Sequence, residues 1–385
     1  MIKRILLLCL VLALMPVTAP GESESSGMSL LAINVGKADC LLLRYADKAY
    51  LIDTGTVESW GAVSAALKAN GITALDGVIL THTDKDHAGG ILALATSSIE
   101  VGGWYASAYY CEVKEKNHPA VLAAAMRGEE VVWLKSGDNL PFADGSLTVL
   151  GPAQYFDDKE NNNSLVLYAV AAGGSMLLAG DMEEPAEQLL LKAGLVPRAD
   201  VLKVGHHGEG DATSEAFAQA VQPKVAVIST NSIEEPDTPS KRVLKLLKAV
   251  GAQIALTENA SGGALVTITA GQVSCKLVSW PEPPAVQTGI VLEGKDAEAD
   301  VVTIRNTGSE TADLSGWYLV SERGLEIYVL PEGTILAAGE SLTIGTLTTD
   351  AETDVTWSQK NVWHKSKDDA AILYDVYGRL ISRLD

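Results

Sequence analysis

Between residues 29 and 279, short apolar runs alternate with stretches of helical spacing. Residues 30–35 predict a strand, as do 40–45 and 49–52, the last ending at Asp53-Thr54-Gly55. Residues 60–70 repeat apolar positions every three or four residues and are closed by Gly71, which predicts a helix. Residues 77–80 form a short apolar run leading straight into His82-Thr83-Asp84-Lys85-Asp86-His87, and a helix is expected over 89–96. Further strands are predicted at 147–150, 165–171, 176–178, 201–204 and 224–229, with helices at 184–193, 214–221 and 240–250. Strands interleaved with helices predict an α/β fold of sheets covered by helices.

The texture changes after Trp280-Pro281-Glu282-Pro283-Pro284, a proline-rich linker. Residues 286–385 carry short β-branched runs separated by turn residues, the pattern of a small all-β sandwich. The predicted organisation is therefore a first domain over 28–279, a linker over 280–285 and a β-sandwich over 286–385. The N-terminus has the form of an export signal. Lys3 and Arg4 precede the apolar run 5–17, which is short for a membrane span, and Ala19-Pro20-Gly21 offers a cleavage site. Residues 1–21 are read as a removed signal peptide, so a secreted, extracellular bacterial protein without an integral membrane domain is expected.

Charge narrows the partners. The net charge is −20, and residues 286–385 hold 17 acidic against 8 basic side chains. Neither half offers the basic face that broad nucleic-acid binding uses. A phosphodiester reached through bound cations stays open, because cations invert the local field. Cysteines 40, 111 and 275 lie beyond the signal, an odd number without CxxC spacing. Small buried apolar side chains are the expected role for them.

Four of the six histidines fall in two short motifs, His82 with His87 and His206-His207, each just past a predicted buried strand. The loop from His82 to His87 alternates imidazole with the carboxylates of Asp84 and Asp86, a donor mixture suited to Zn, Mn or Fe ions rather than Ca. Asp181 ends the run Met176-Leu177-Leu178-Ala179-Gly180, where a carboxylate can bridge two cations. The candidate metal ligands in these motifs are His82, Asp84, Asp86, His87, Asp181 and a histidine of the His206-His207 pair, serving two divalent ions, zinc foremost and manganese or iron as alternatives. Asp84, Asp86 and His206 are the candidate catalytic residues. His118 and His364 stand alone and are read as non-catalytic.

These motifs carry a resemblance. Residues 34–39, 51–55, 81–90, 161–167, 178–181 and 202–208 resemble, in order, the metallo-β-lactamase superfamily, and within it the C-terminal hydrolase domain of ComEC-type competence proteins. The resemblance implies an αββα sandwich with a two-metal site at one sheet edge. It implies that Asp181 bridges the ions, that His207 binds metal, that His206 faces the scissile phosphate, and that Asp53 supports the metal loop through hydrogen bonds. Asp84 stands where the broader superfamily has histidine. The superfamily's separate histidine is replaced by Asn163-Ser164, and the Gly-His-Pro usual in the ComEC-like branch is replaced by Glu235-Pro236-Asp237-Thr238-Pro239. The implied function is a secreted, metal-dependent phosphodiesterase or DNA nuclease in which metal-activated water attacks phosphorus. A cell-wall esterase of the phosphorylcholine type and a non-catalytic surface-binding protein are the alternatives. Residues 302–308, 313–317, 331–340, Trp363 and 371–375 resemble a lamin-tail domain. That implies an immunoglobulin-like sandwich, a core role for Trp317 and Trp363, and a surface or wall component as its partner.

Overall fold

The structure is a computed structural model describing residues 27–110, 117–157, 159–324 and 326–385. The expected signal peptide and Cys111 lie outside the described residues.

Two sheets lie face to face in the first domain. One has eight strands in the order Gln272–Val278, Gly263–Thr269, Met28–Ala32, Leu41–Tyr45, Lys48–Ile52, Gly77–Ile79, Trp104–Ser107 and Val131–Leu134. The other has seven, in the order Gln253–Leu256, Val225–Ile228, Val201–Lys203, Gly174–Leu178, Val166–Ala171, Ser146–Gly151 and Asn139–Leu140. Each begins as antiparallel hairpins and continues as parallel strands, the second from Gly174–Leu178 onward. Leu41, Leu43, Ile52, Leu167, Met176 and Val201 fill the space between the sheets. Leu42 and Leu51 point the other way, onto Trp60, Val63, Leu67 and Leu94 of the outer helices. The second sheet is covered by Leu190, Phe217, Val221 and Leu247. Strands buried on both faces, such as Gly77–Ile79 and Val225–Ile228, read as unbroken apolar runs, whereas Ser146–Gly151 and Gly263–Thr269 alternate.

Predicted boundaries shift where the chain leaves a sheet. The strand expected over 30–35 is Met28–Ala32, because the chain bends away through Asn34 and Gly36, whose φ is +81°. The helix expected over 89–96 is Ile91–Thr96, since Gly89 and Gly90 are packed against backbone of residues 54–57. Two elements have little periodic signal. Pro119–Met126 is half alanine, and Val131–Leu134 is a short edge strand. His118 caps that helix, its Nδ1 accepting from the Ala120 N–H at 3.2 Å, a structural role. Cys40 is buried and Cys275 half-buried, and both are free thiols. Among the described residues no helix is long and apolar enough to cross a membrane.

Residues 290–384 form two four-stranded sheets, Ile290–Asp296, Val301–Asn306, Ser341–Thr346, Val355–Trp357 and Ile327–Val329, Tyr318–Ser321, Ala371–Tyr374, Leu380–Leu384. Trp317, Trp357 and Trp363 are buried between them, with Trp357 and Trp363 edge to face at 5.8 Å. The second of these sheets is apolar on both faces. Leu319, Tyr328 and Leu373 face the sandwich core, whereas Tyr318, Val320, Ile327 and Ile372 join the cluster around Trp60 and Leu94. Tyr318 Oη donates to the Glu58 carbonyl at 2.9 Å, and a Cβ at Gly61 would collide with the Tyr377–Gly378 backbone. The two domains thus have one hydrophobic cluster in common, beside the sandwich's own core.

Candidate metal centre

The site grows from the ends of three strands. Gly77–Ile79 leads to Thr81 and the His82–His87 loop, Gly174–Leu178 leads through Gly180 at φ +54° to Asp181, and Val201–Lys203 leads to the turn Gly205–Gly208. His206 and His207 both sit in left-handed backbone at φ 46° and 51°, and Asp53 does so at φ 59°. Non-glycine residues held there cost about 1–3 kcal/mol each and cluster at functional sites. At His206-His207 the turn sends the two rings in different directions, one inward and one toward the rim.

All six expected ligands converge. Asp181 Oδ2 is the hub, 3.1 Å from His87 Nε2, 3.4 Å from His207 Nε2 and 4.0 Å from His82 Nε2. Asp86 Oδ2 is 3.4 Å from His207 Nε2, and Asp84 Oδ2 is 3.6 Å from His82 Nε2. Asp86, His87, Asp181 and His207 form one four-residue group able to hold an ion. Ligands about 2.1 Å from a tetrahedral cation stand about 3.4 Å apart, the spacing seen here. The Nε2 atoms of His82, His87 and His207 and Asp181 Oδ1 are buried without hydrogen-bond partners. Buried polar atoms left unpaired are costly, and divalent cations would satisfy all four. The donor set therefore fits a divalent cation held by Asp86, His87, Asp181 and His207, with His82 and Asp84 beside that group.

A ring of partners aims the imidazoles. His87 Nδ1 lies 2.8 Å from Asp53 Oδ2, and Asp53 also accepts from the Thr81 N–H and Thr81 Oγ1, each at 2.8 Å. His207 Nδ1 lies 3.1 Å from the Ser229 carbonyl. Thr81 spends its hydroxyl hydrogen on Asp53, so its oxygen accepts from His82 Nδ1 at 3.1 Å. Each imidazole thus donates outward from Nδ1 and presents Nε2 to the centre, the arrangement metal-binding histidines adopt. Ser164 Oγ accepts from the Asp181 N–H at 3.1 Å and lies 3.3 Å from His82 Nδ1. It thus contacts two of the candidate ligands.

Electrostatics follow from the crowding. Burial works against the charge on Asp86, but the adjacent His207 ring, 3.4 Å away, and the charges of His87 and His207 prevail and lower its carboxyl to about 2. Burial opposes protonation of His207, yet Asp181, Asp86 and Asp39 raise it to about 9. His87 is raised and Asp181 lowered by the same mutual attraction against the same burial cost. Without cations, protons take the cations' place.

The motif reading gave no partners to two elements near the site. Asp39 and Lys203 form an ion pair at 2.7 Å with both side chains essentially inaccessible. Asp39 N donates to the Asp86 carbonyl at 3.0 Å, so the pair ties the metal loop of one sheet to the strand carrying His207 in the other. A lysine inside the apolar run Val201-Leu202-Lys203-Val204 was the available signal. The second element surrounds His206, which the structure turns away from the ion group toward Asp211 and Asn161. Asp237 is exposed, while Glu235 of the same loop binds Lys37 at 2.8 Å. Lys37 also binds Glu209 at 2.7 Å.

Residues 33–232, more than half of the chain, match the family described as "Metallo-beta-lactamase superfamily". The chain belongs to that superfamily. Residues 283–385 match the family described as "Lamin Tail Domain". Among curated proteins, the metallo-β-lactamase domain is similar to "ComE operon protein 3" of Bacillus subtilis, 35% identical over 192 residues, which is 50% of this chain and 24% of that protein. It is also similar to "Competence protein ComA" of Neisseria gonorrhoeae, 30% identical over 227 residues, 58% of this chain and 30% of that one. The chain thus spans less than a third of either relative. Among solved structures, the metallo-beta-lactamase fold protein YhfI of Bacillus subtilis matches 63% of this chain and 99% of its own, at 14% identity and a TM-score of 0.43.

Proposed function

We propose that this metallo-β-lactamase superfamily member is a secreted, metal-dependent phosphodiesterase. The observation that carries the reading is the set of three buried, partnerless Nε2 atoms of His82, His87 and His207, arranged 3.1 to 4.0 Å from Oδ2 of the Asp181 carboxylate. Imidazole with carboxylate suits zinc, with manganese or iron as alternatives. Two divalent cations held there supply an acidified water and polarise a phosphoryl oxygen. The chain's own residues do the rest. Asp181 spaces the two ligand groups, Asp53 and Thr81 fix the ring orientations, and Asp84 and the half-exposed Asp86 border the open side. Kinship to competence proteins supports a DNA substrate.

One observation favours a more compact phosphodiester. Lys37, the cation beside the His206 turn, is paired with both Glu209 and Glu235. The net charge of −20 adds to the cost of holding a long polyanion. A phosphorylcholine-type headgroup would meet less repulsion, and the lamin-tail-like domain would then hold the enzyme at a surface or wall component. The test is metal content and turnover on one purified sample, with bis-p-nitrophenyl phosphate, single-stranded DNA and p-nitrophenyl phosphorylcholine as substrates and an Asp86→Ala/His87→Ala variant as control. Cleavage lost in the control supports the enzyme, and the preferred substrate decides between nuclease and esterase. A metal-replete sample that cleaves none of the three overturns the phosphodiesterase reading in favour of a binding protein.

A further inference from the structure

His206 neighbours a ligand in sequence but has its own set of partners. Its Nδ1 lies 2.9 Å from Asp211 Oδ1, and its Nε2 lies 3.1 Å from Asn161 Nδ2. A carboxylate only accepts, so Nδ1 carries a hydrogen. The other contact is decided by a third residue. Asn161 Nδ2 also lies 3.2 Å from Glu183 Oε1, and only the amide nitrogen can donate to that carboxylate. Asn161 therefore cannot turn its oxygen toward the ring, and His206 Nε2 must accept. Glu183 is itself fixed. It is buried, its Oε2 accepts from Asn162 Nδ2 at 2.9 Å, and its N–H donates to Asn162 Oδ1 at 3.2 Å. Glu183, His206 and Asp211 offer ligand atoms close enough for a cation, but these hydrogen bonds already use the ring nitrogens.

We propose that Glu183, Asn161 and Asp211 are positioning residues that hold His206 in one orientation and one tautomer, hydrogen on Nδ1 and lone pair on Nε2. His206 then acts on the substrate side as a hydrogen-bond acceptor that orients the attacking water, not as a donor gripping the phosphate. This rests on the phosphodiesterase reading. The ring lies 6.4 Å from that of His207 and, unlike that buried ring, is partly exposed. The bond from Asn161 is a neutral one, so a water can replace it without an unpaired charge being left behind. The sequence resemblance implied a phosphate contact for His206, and the hydrogen-bond pattern reassigns its polarity.

The test uses the full chain loaded with zinc and labelled with nitrogen-15 histidine. A long-range proton–nitrogen correlation spectrum reports the tautomer, with His206 assigned by its loss in His206→Gln. The expected result is the Nδ1-protonated pattern in the parent and in Asp211→Asn, whose amide oxygen still accepts, and loss of that pattern in Asp211→Leu. On bis-p-nitrophenyl phosphate, kcat should fall about 10- to 100-fold in Asp211→Leu, with KM and zinc content little changed and Asp211→Asn largely restored. An Nε2-protonated or doubly protonated His206 in the parent overturns the tautomer. An unchanged kcat in Asp211→Leu, or a loss carried by KM, overturns the acceptor role. The spectrum needs no turnover, so a protein that cleaves nothing sinks the phosphodiesterase reading while the tautomer is still decided.

Discussion

Replacing Lys203 by methionine probes the buried pair that joins the two halves of the metal site. Methionine keeps most of the side-chain volume and removes the charge, leaving Asp39 inaccessible to water with its cation gone. His207 Nδ1, 3.8 Å away, is then the nearest cationic group, and it is already engaged with Ser229 and the ion group. Burial pushes the Asp39 carboxyl up, but Lys203 chiefly, with His207 and His87, holds it below its ordinary value. Breaking a buried pair from one side costs about 3–5 kcal/mol, whereas replacing both partners with apolar groups is often neutral or stabilising. The expectation is therefore a loss of about 3–5 kcal/mol in Lys203→Met and recovery of most of it in Asp39→Leu/Lys203→Met. Urea denaturation followed by tryptophan fluorescence measures this, with chelator present so that metal binding does not add to stability. A single-variant loss below about 1 kcal/mol, or a double variant as unstable as the single one, would refute the reasoning.

Asp53→Ala removes the acceptor that orients His87, and metal affinity should drop about 10- to 100-fold, read by competition with a chromogenic chelator; an unchanged affinity contradicts the supporting role. Gly61→Ala carries the opposite sign to helix propensity, which favours alanine by up to about 1 kcal/mol. Because the added Cβ meets the Tyr377–Gly378 backbone, the variant should melt at a lower temperature than the parent, and a higher one would show that the domains are not packed there. Metal binding near pH 7.5 should release protons. His207, with its value raised from 6.5 to about 9, is protonated in the metal-free protein, and a ligand must be neutral. Calorimetry in buffers of different ionisation enthalpy reads this release. The same shift stabilises the metal-free fold fully below about pH 6.5 and is lost as pH rises through about 9.

The sequence by itself determined the layered α/β core and singled out the candidate ligands that the fold brings together. Apolar runs buried on both faces had to be interior strands, and histidine and aspartate at their ends had nowhere to go but a common edge. The shift from mixed periods to short β-branched runs marked a separate sandwich, and tryptophans such as Trp317 and Trp363 had the size and polarity of core residues. What only the tertiary structure decided are relations between positions distant along the chain. Asp39 and Lys203 are each unremarkable locally, and their pairing exists because two sheets stack. The direction of the His206 ring depends on Asn161, fixed by Glu183 on another loop, which no local pattern encodes. Both faces of the Tyr318–Ser321 sheet are apolar in the sequence, but the partner of the outer face is set by the shape of the helices around Trp60 and Gly61. Periodicity records which side of an element avoids water; which surface covers that side depends on three-dimensional fit.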